Sequence, residues 1–202
     1  MAPKVKYSRE KFLEAAVEIV RERGLEAVTA RELGDRLGCS SRPVFTAFKN
    51  MEEVQQAVIG EAKKRLNDYL NVADGYELEF KKIGMQMIKF AIEEPKLFQI
   101  VYMNGNNHPR TFNEFKSDLG YYFEYSVGVC QRDYGLDRRD AEKLFERLWI
   151  HSYGISMLCV TNMCVFTEEE IATALGEVFY ASLLLVKAGN VEYEFGKKPK
   201  KK

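Results

Sequence analysis

The chain has 202 residues, of which 46% are hydrophobic, and it carries 30 basic and 30 acidic side chains. This composition is typical of a folded globular protein and excludes wholesale disorder, and the length allows one large domain or two small ones. The net charge of zero gives no overall indication of a nucleic-acid partner. It is unevenly distributed, however: residues 1–11 have a net charge of +3, residues 12–186 of −7 and residues 187–202 of +4.

The sequence predicts a cytoplasmic protein with reduced cysteines. Its N-terminus is polar and lacks the apolar stretch of a signal peptide, and its longest apolar runs are far too short to span a bilayer. We therefore expect no membrane partner. The four cysteines, Cys39, Cys130, Cys159 and Cys164, show no C-x-x-C spacing, and so few cysteines in a chain of this length do not form a disulfide scaffold.

Cap residues and apolar spacing predict an all-α protein of about nine helices. Ser8 is placed to cap the first helix and Gly24 to end it. Thr29 and Glu32 form a capping box for a short second helix that ends at Leu37. No segment combines the alternation of a strand with hairpin turns.

The third helix is predicted to begin near Ser40 or Ser41, with Pro43 in its first turn, where a missing N–H costs little. The other six helices are expected at about 51–72, 78–94, 96–103, 111–134, 137–162 and 167–187. Their predicted caps are Asn50 with Glu53, Thr111 with Glu114, Asp137, and Thr167 with Glu170, and residues 104–109 are expected to form a loop.

Residues 33–48 have the spacing of a helix-turn-helix. Gly34 would let two helices approach closely, and Gly38 suits a tight turn in the left-handed conformation. Apolar side chains on both sides of this turn would hold the two helices at a steep angle: Leu33, Leu37, Val44 and Phe48.

The third helix would then present polar groups to a DNA major groove while Val44 and Phe48 are buried. The residues expected on that surface are Ser40, Ser41, Arg42, Phe45 and Thr46. Two charge features favour DNA binding: a net charge of +2 over residues 29–49 and a basic N-terminal arm of Lys4, Lys6, Arg9 and Lys11. The alternative is a small helical hairpin that only packs.

Residues 8–54 resemble the DNA-binding domain of the TetR/AcrR family of transcriptional regulators. The family's pattern is roughly T-x-R-x-[IL]-[AG], a glycine turn, a short helix ending in aromatic-x-x-Phe, a polar link and Glu-Glu-Leu. Here it is matched by Thr-Ala-Arg-Glu-Leu-Gly at 29–34, Gly38, Phe-Thr-Ala-Phe at 45–48 and Asn-Met-Glu-Glu-Val at 50–54.

This resemblance implies a repressor that binds a palindromic operator in double-stranded DNA as a homodimer and is released by a small-molecule effector. It implies a helix-turn-helix domain at 1–54 and a helical effector-binding and dimerisation domain at 55–190. The basic tail at 191–202 is expected to be disordered, with nonspecific attraction to a polyanion as the alternative. The predicted DNA contacts are Thr29, Arg31, Ser40, Ser41, Arg42, Pro43, Phe45, Thr46 and Lys49.

Among these residues, Arg42 is the best candidate for bidentate recognition of a guanine, and the alternative is a solvated arginine at a helix start. The sequence departs from the family pattern at Phe45, Ala47 and Met51, where the family often has tyrosine, histidine and lysine that touch phosphates. Up to three phosphate contacts would be missing, with Lys49 as a partial replacement. A second hypothesis follows, namely a helical small-molecule or thiol sensor with weak or lost DNA binding.

Residues 76–125 contain 11 of the 25 aromatic residues, and a mostly apolar pocket with a few polar groups is the usual small-molecule site. We therefore expect a largely apolar or aromatic effector, and the alternative for most of these side chains is the core. His151 in particular fits a satisfied core histidine. The candidate effector contacts are Phe90, Phe98, Tyr102, Met103, Tyr122, Tyr125, Trp149, His151 and Tyr153.

The last two long helices are expected to supply a dimer interface, because two helices from each subunit would form a symmetric four-helix bundle. One predicted stripe consists of Leu144, Leu148, Ser152, Ile155 and Cys159. The other consists of Ile171, Leu175, Val178, Phe179, Ser182 and Leu185. The alternative is that both stripes form an intrachain core.

Neither an enzyme nor a cofactor or metal site is expected. The only histidines are His108 and His151, and no glycine-rich phosphate loop, zinc-ligand spacing or nucleophile elbow is present. A reactive-thiol sensor stays open, because Cys159 and Cys164 are five residues apart near a helix end and Cys39 lies in the predicted turn. Buried, unreactive thiols are the alternative.

Overall fold

A computed structural model describes residues 7–71, 79–103 and 111–189. Within these ranges every regular element is a helix, as predicted. They are α1 (Arg9–Arg23), a 3-10 turn (Leu25–Ala27), α2 (Ala30–Leu37), α3 (Val44–Ala47), α4 (Met51–Asn71), α5 (Glu79–Glu93), α6 (Pro95–Tyr102), α7 (Phe112–Leu119), α8 (Tyr121–Tyr134), α9 (Arg138–Val160) and α10 (Glu168–Lys187). The predicted loop at 104–109 with His108, the tail at 191–202, and Lys4 and Lys6 of the arm lie outside the described residues.

The predicted caps determine where the helices begin. The Ser8 hydroxyl accepts from the Lys11 N–H at 3.4 Å, and Asp137 accepts from the Asp140 N–H at 2.8 Å. Thr111 and Thr167 form complete capping boxes with the glutamates three residues later. Each cap satisfies N–H groups that have no partner inside the helix, so local sequence is sufficient to place these starts.

Two predicted boundaries are wrong. The helix expected over 111–134 is two helices, because Gly120 adopts φ 53° and ψ −123°, which breaks the run between Leu119 and Tyr121. This break makes ten α-helices in the described part of the chain where nine were expected. The third helix begins at Val44, later than predicted, because the N–H groups of Val44 and Phe45 bond to carbonyls only three residues back.

The chain forms two compact units. Within the described residues, the first comprises 7–71, 86–103 and 156–165. In it α1 packs against α2, α3, α4 and α6, and the Arg21 Nε donates to a Glu94 carboxylate oxygen at 2.8 Å. The core of this unit includes Phe12, Ile19, Leu33, Phe48, Val58, Leu97 and Phe98, all buried. The predicted boundary at residue 54 divides a DNA-binding domain from an effector-binding domain by function, and it stays a prediction.

The second unit comprises 79–85, 111–155 and 166–189 of the described residues. Its core is built from α5, α8 and α9, with Phe80, Phe123, Val127, Cys130, Leu144 and Phe145 among the buried side chains. Val178, Phe179 and Leu183 of α10 pack against this cluster. Among the described residues, no helix is both long and apolar enough to cross a membrane.

Candidate nucleic-acid interface

The turn between α2 and α3 depends on two glycines. Gly38 has φ 67° and ψ 38°, the left-handed conformation that closes a helix at low cost. The Cys39 N–H donates to the Gly34 carbonyl at 2.9 Å and the Gly38 N–H to the Asp35 carbonyl at 3.3 Å, which is the bonding pattern of a Schellman motif. A Cβ on Gly34 would lie 2.7 Å from the Cys39 carbonyl oxygen. Both glycine predictions are confirmed.

The segment 40–48, which contains the short α3 helix, is anchored by its apolar residues and exposes its polar ones. Val44 and Phe48 are 0% and 2% exposed, as predicted. The side chains predicted to face DNA are exposed: Ser40, Ser41, Arg42, Phe45 and Thr46, with Pro43 half-buried. Phe45 is 52% exposed, which is unusual for a phenylalanine and leaves an apolar ring on a polar surface.

Ion pairs leave a specific set of cations on this surface. Arg23 pairs with Glu32 and Arg36 with Glu22, so their charges are compensated within the domain. The Arg31 side chain is 91% exposed and its Nε lies 3.7 Å from an Asp35 oxygen, a weak surface pair. The ion pairs identified in the described ranges include neither Arg42 nor Lys49, and both side chains are exposed.

The Thr29 hydroxyl accepts from the Glu32 N–H at 3.1 Å, so this predicted DNA contact is also the cap of α2. Thr29 is exposed, and its hydroxyl hydrogen is still able to donate to a phosphate. The Glu32 carboxylate pairs with Arg23, and only the Thr29 half of the predicted capping box is formed. The capping role and a phosphate contact are therefore compatible in one side chain.

Arg9 connects the start of α1 to the end of α3. Its Nη1 donates to the Ala47 carbonyl at 3.0 Å and to a Glu53 oxygen at 2.8 Å. Its guanidinium carbon lies 4.1 Å from the centre of the Phe48 ring. We expected Arg9 to belong to a basic arm that attracts DNA; the structure shows its guanidinium, 45% exposed, paired with Glu53 of the same domain.

Glu53 completes this arrangement from the start of α4. Its carboxylate accepts from the Lys49 N–H at 2.6 Å, while its own N–H donates to the Asn50 side chain at 2.9 Å. The Lys49 N–H, followed by the Arg9 guanidinium, lowers the pKa of the Glu53 carboxyl. The predicted Asn50–Glu53 cap is confirmed, and it also holds the residues that follow α3.

Comparisons with known proteins agree with this geometry. The family model for bacterial regulatory proteins of the tetR family matches residues 12–58. The uncharacterized HTH-type transcriptional regulator YvkB of Bacillus subtilis is 22% identical over 125 residues, covering 55% of this chain and 65% of that relative. Residues 12–58 are a DNA-binding domain of the TetR family of transcriptional regulators. The matched family is one of transcriptional regulators.

Solved structures share the fold of this chain. A TetR-like regulator from Rhodococcus sp. RHA1 has a TM-score of 0.63 at 15% identity, with 90% of this chain and 97% of that chain covered. A TetR-family regulator from Marinobacter aquaeolei VT8 has a TM-score of 0.61 at 16% identity, with 88% and 95% covered. The fatty acid degradation regulator FadR from Bacillus halodurans has a TM-score of 0.56 at 14% identity, with 96% and 99% covered.

The predicted effector residues fall into two groups. Phe90, Phe98, Tyr102 and Met103 belong to the first unit, where Phe90 and Phe98 are fully buried and Met103 is 46% exposed. The Phe98 and Tyr102 ring centres are 4.8 Å apart. For Phe90 and Phe98, this burial corresponds to the core alternative.

The other five candidates, Tyr122, Tyr125, Trp149, His151 and Tyr153, belong to the second unit and are all half-buried. Trp149 stacks on Tyr153 with 5.1 Å between ring centres and lies 4.5 Å from Phe115. The His151 Nε2 is buried, and no hydrogen-bond partner for it lies among the described residues. The aromatic character of this region is as predicted, while its role in binding stays a prediction.

A cleft of about 370 Å³ in the second unit was not predicted from the sequence. It is lined by polar groups and one ring, including Lys116, Ser117, Phe123, Glu124, Arg138 and Glu142. Lys116 is only 7% exposed; it pairs with Glu146 and lies 3.8 Å from a Glu142 oxygen. None of the nine predicted effector residues lines this cleft.

Most of the predicted dimer residues lie inside the second unit or at the end of α9. Leu144, Leu148, Ser152, Ile155, Ile171, Leu175 and Ser182 are buried in the chain itself, and Cys159, Val178 and Phe179 are half-buried. This is the placement of the intrachain-core alternative. Leu185, at 47% exposed, is the exception. The apolar side chains that α9 and α10 do expose are Ile150, Tyr180, Leu184 and Leu185.

The thiols differ in their surroundings. Cys130 is fully buried, and burial raises the pKa of its thiol to about 12. Cys39 and Cys159 are half-buried and Cys164 is exposed. In the part of the chain described, His, Cys, Asp and Glu side chains form no group of three or more that could hold a metal ion.

Proposed function

We propose that this TetR-family chain is a one-component repressor that binds a palindromic DNA operator as a homodimer and releases it when a small molecule binds the C-terminal domain. The observation that carries the proposal is the exposure of Ser40, Ser41, Arg42, Phe45 and Thr46 in a segment held by the Gly38 turn and by the Arg9 contacts. Rigid presentation matters, because a helix positioned by buried anchors offers base contacts with little loss of conformational entropy.

The exposed side chains fall into two groups, one suited to contact bases and one suited to contact phosphates. Arg42 has the planar fork that pairs with the N7 and O6 of guanine, and Ser41 and Thr46 have hydroxyls suited to base edges. Arg31, Lys49 and Thr29 flank this group and match phosphate oxygens. Phe45 has no hydroxyl for a phosphate, but an exposed ring fits the methyl group of a thymine.

The departures from the family pattern affect affinity. Ala47 and Met51 carry no group that pairs with a phosphate, and Arg9 is engaged by Glu53. Each missing phosphate contact lowers the salt dependence of binding by about one charge. We therefore expect a shallow salt slope and a strong dependence on dimerisation, since two weak half-site contacts add in a dimer.

For the dimer interface, the proposal uses the exposed apolar residues of α9 and α10. Ile150, Tyr180, Leu184 and Leu185 are each 47% exposed or more. A two-fold axis would bring the same patch of two copies into contact, which is the arrangement of an isologous interface. The same axis would relate two DNA-reading helices, which is what a palindromic site needs.

For the effector, the proposal favours the second unit, where Trp149 and Tyr153 stack and Phe115 lies alongside. Because Trp149 is the single tryptophan of the chain, its fluorescence reports directly on this region. A compound library is screened for thermal stabilisation, since a ligand that binds the native state raises the apparent stability. Hits that also change Trp149 fluorescence support the location, and hits without such a change contradict it.

The DNA-binding proposal is tested by selection of genomic fragments on the purified chain at low salt, followed by footprinting. The expected result is an enriched palindrome whose half-sites are about one helical turn apart. Recovery of fragments without a shared palindrome would overturn the operator claim. Ligand hits from the stabilisation screen are then added to the bound complex, and release of the DNA supports the repressor mechanism.

The alternative of a sensor with weak DNA binding is favoured by one specific observation, the loss of phosphate-binding side chains at positions 45, 47 and 51. It predicts that selection enriches nothing although ligands or thiol oxidants still bind or react. The salt dependence of binding, measured on the most strongly retained fragment and on random DNA, separates the two functions, because a specific complex keeps a residual affinity at high salt that nonspecific attraction lacks.

A further inference from the structure

The end of α9 folds back so that two cysteines lie near each other. The helix closes with Asn162 in the left-handed conformation, φ 57°. The N–H groups of Met163 and Cys164 both donate to the Leu158 carbonyl, at 3.0 and 3.2 Å, and the Asn162 N–H donates to the Cys159 carbonyl at 3.0 Å. This double closure returns Cys164 to the last turn of α9, the turn that contains Cys159.

Standard bond lengths bound the distance between the two cysteines. Cys159 follows Leu158 directly, and the Cys164 nitrogen is 3.2 Å from the Leu158 oxygen. The two Cα atoms are therefore separated by at most about 7.5 Å. Disulfides join Cα atoms that are about 4.4–6.8 Å apart, so a small adjustment of an exposed turn is sufficient to form one.

The surroundings give the two thiols different reactivities. Cys164 is exposed and Cys159 is half-buried. Burial, followed by the nearby Cys164 thiol, raises the pKa of Cys159. Cys164 is thus the thiol that a reagent from solution meets first, and Cys159 is shielded from direct attack but close enough to react with Cys164.

We propose that Cys159 and Cys164 form a dithiol modification site that a small-molecule disulfide converts to an intrachain disulfide. The Cys164 thiolate attacks one sulfur of the reagent, whose S–S bond breaks and releases one thiolate. The Cys159 thiolate then attacks the Cys164 sulfur of this mixed disulfide and releases the second thiolate. The two protein thiols are oxidised, the reagent disulfide is reduced to two thiols, and the two protons pass to the released thiolates.

The site is independent of the proposed DNA binding, and its test uses glutathione disulfide on the purified full-length chain. The reaction is stopped with acid, and the chain is cleaved after methionine with cyanogen bromide. Met163 lies between the two cysteines and Met157 precedes them, so cleavage places Cys159 and Cys164 on different fragments. We expect those fragments to stay joined until a reductant is added.

Two single variants identify the order of the steps. In Cys159→Ser, the mixed disulfide with glutathione should accumulate on Cys164; in Cys164→Ser, neither product should form at these positions. Because the pKa of Cys159 is raised, the second step in the unchanged chain should become faster as the pH rises above neutrality. Thermal unfolding of the reduced variants checks that both are folded.

The proposal is overturned if the fragments separate without reductant, or if the glutathione adduct on Cys164 persists in the unchanged chain. It is also overturned if Cys164 instead links two copies of the chain, which nonreducing electrophoresis detects. Buried Cys130 is the internal control, because it should remain free for alkylation after denaturation in every sample.

Discussion

The guanidinium carbon of Arg9 lies 4.1 Å from the centre of the Phe48 ring, and one of its nitrogens donates to the carbonyl of the adjacent Ala47. One side chain at the start of α1 therefore contacts the ring that anchors α3 and the last carbonyl of that helix. We propose that Arg9 positions the residues that we expect to contact DNA, since Ala47 and Phe48 follow them in the chain.

The first prediction concerns Arg9→Ala. It should reduce the free energy of unfolding by about 1–2 kcal/mol, because a cation–π contact and a partly exposed ion pair are lost together. It should also lower the ratio of specific to nonspecific DNA binding while leaving the salt slope unchanged. Urea denaturation and binding titrations at several salt concentrations measure these effects.

The matched control for Arg9 is Lys11→Ala, which removes an exposed cation from the same end of α1. It should leave stability within about 0.5 kcal/mol of the unchanged chain. A salt slope that falls by about one on Arg9→Ala would instead identify Arg9 as a phosphate contact and contradict the positioning role.

The second prediction concerns Gly34→Ala. The added Cβ would lie 2.7 Å from the Cys39 carbonyl oxygen and 3.0 Å from a backbone carbon of Ser40, so the turn must move. We expect a loss of about 1–3 kcal/mol in stability and weaker specific DNA binding. Gly60→Ala is the control: nothing lies within 4 Å of its added Cβ, so better helix propensity should raise stability by up to about 1 kcal/mol. Equal effects of the two substitutions would show that the close approach at Gly34 is unimportant.

The turn shows why this part of the fold was predictable from sequence. Caps, a left-handed glycine and the spacing of Val44 and Phe48 all act within a few residues, so the local sequence is sufficient to predict them. The contacts of Arg9 were not predicted for the opposite reason: its partners Ala47 and Glu53 are 38 and 44 residues away in the chain.

The candidate effector and dimer regions also depend on contacts between residues that are far apart in the sequence. Periodicity predicts that a stripe such as Leu144, Leu148 and Ile155 is buried, but it does not tell which surface covers it, and the chain's own core does. In the sequence, Lys116 resembles any exposed lysine of a helix. In the structure it lies against Glu142 and Glu146 of α9. The polar cleft around Lys116 depends on these tertiary contacts and has no local signal.

The third prediction separates two basic residues on DNA. Arg42→Ala should weaken binding to the selected operator by about 1–3 kcal/mol and relax the preference at one base position, because a bidentate guanine contact is lost. Lys49→Ala should weaken binding to all sequences alike and lower the salt slope by about one. Competition with operators mutated at single positions measures both. If Arg42→Ala affects random DNA as much as the operator, its role is a phosphate contact.

The fourth prediction follows from the lowered pKa of Glu53. Its unfolded value is about 4.3, so the carboxylate stabilises the fold fully above that pH, and this contribution is lost as the pH falls through the lower pKa of the folded chain. Glu53→Gln should therefore lower the free energy of unfolding at neutral pH. In acid, the free energies of unfolding of the variant and of the unchanged chain should become more similar. Denaturation curves between pH 3 and 7 (roughly the window set by these values) measure this, with Glu52→Gln as the exposed neighbouring control. A difference that stays constant across the range would show that the carboxylate charge contributes nothing.

The last prediction tests the proposed dimer interface. Leu184→Glu places a charge on a side chain that is 52% exposed in the single chain, and burial of an unpaired charge between two copies is costly. We expect a monomer by analytical ultracentrifugation and a large loss of operator binding, because a palindrome needs two reading helices on one axis. Tyr121→Glu is the control on α8, where the side chain is 81% exposed and outside the proposed patch. A Leu184→Glu chain that still dimerises at micromolar concentration would place the interface on another surface.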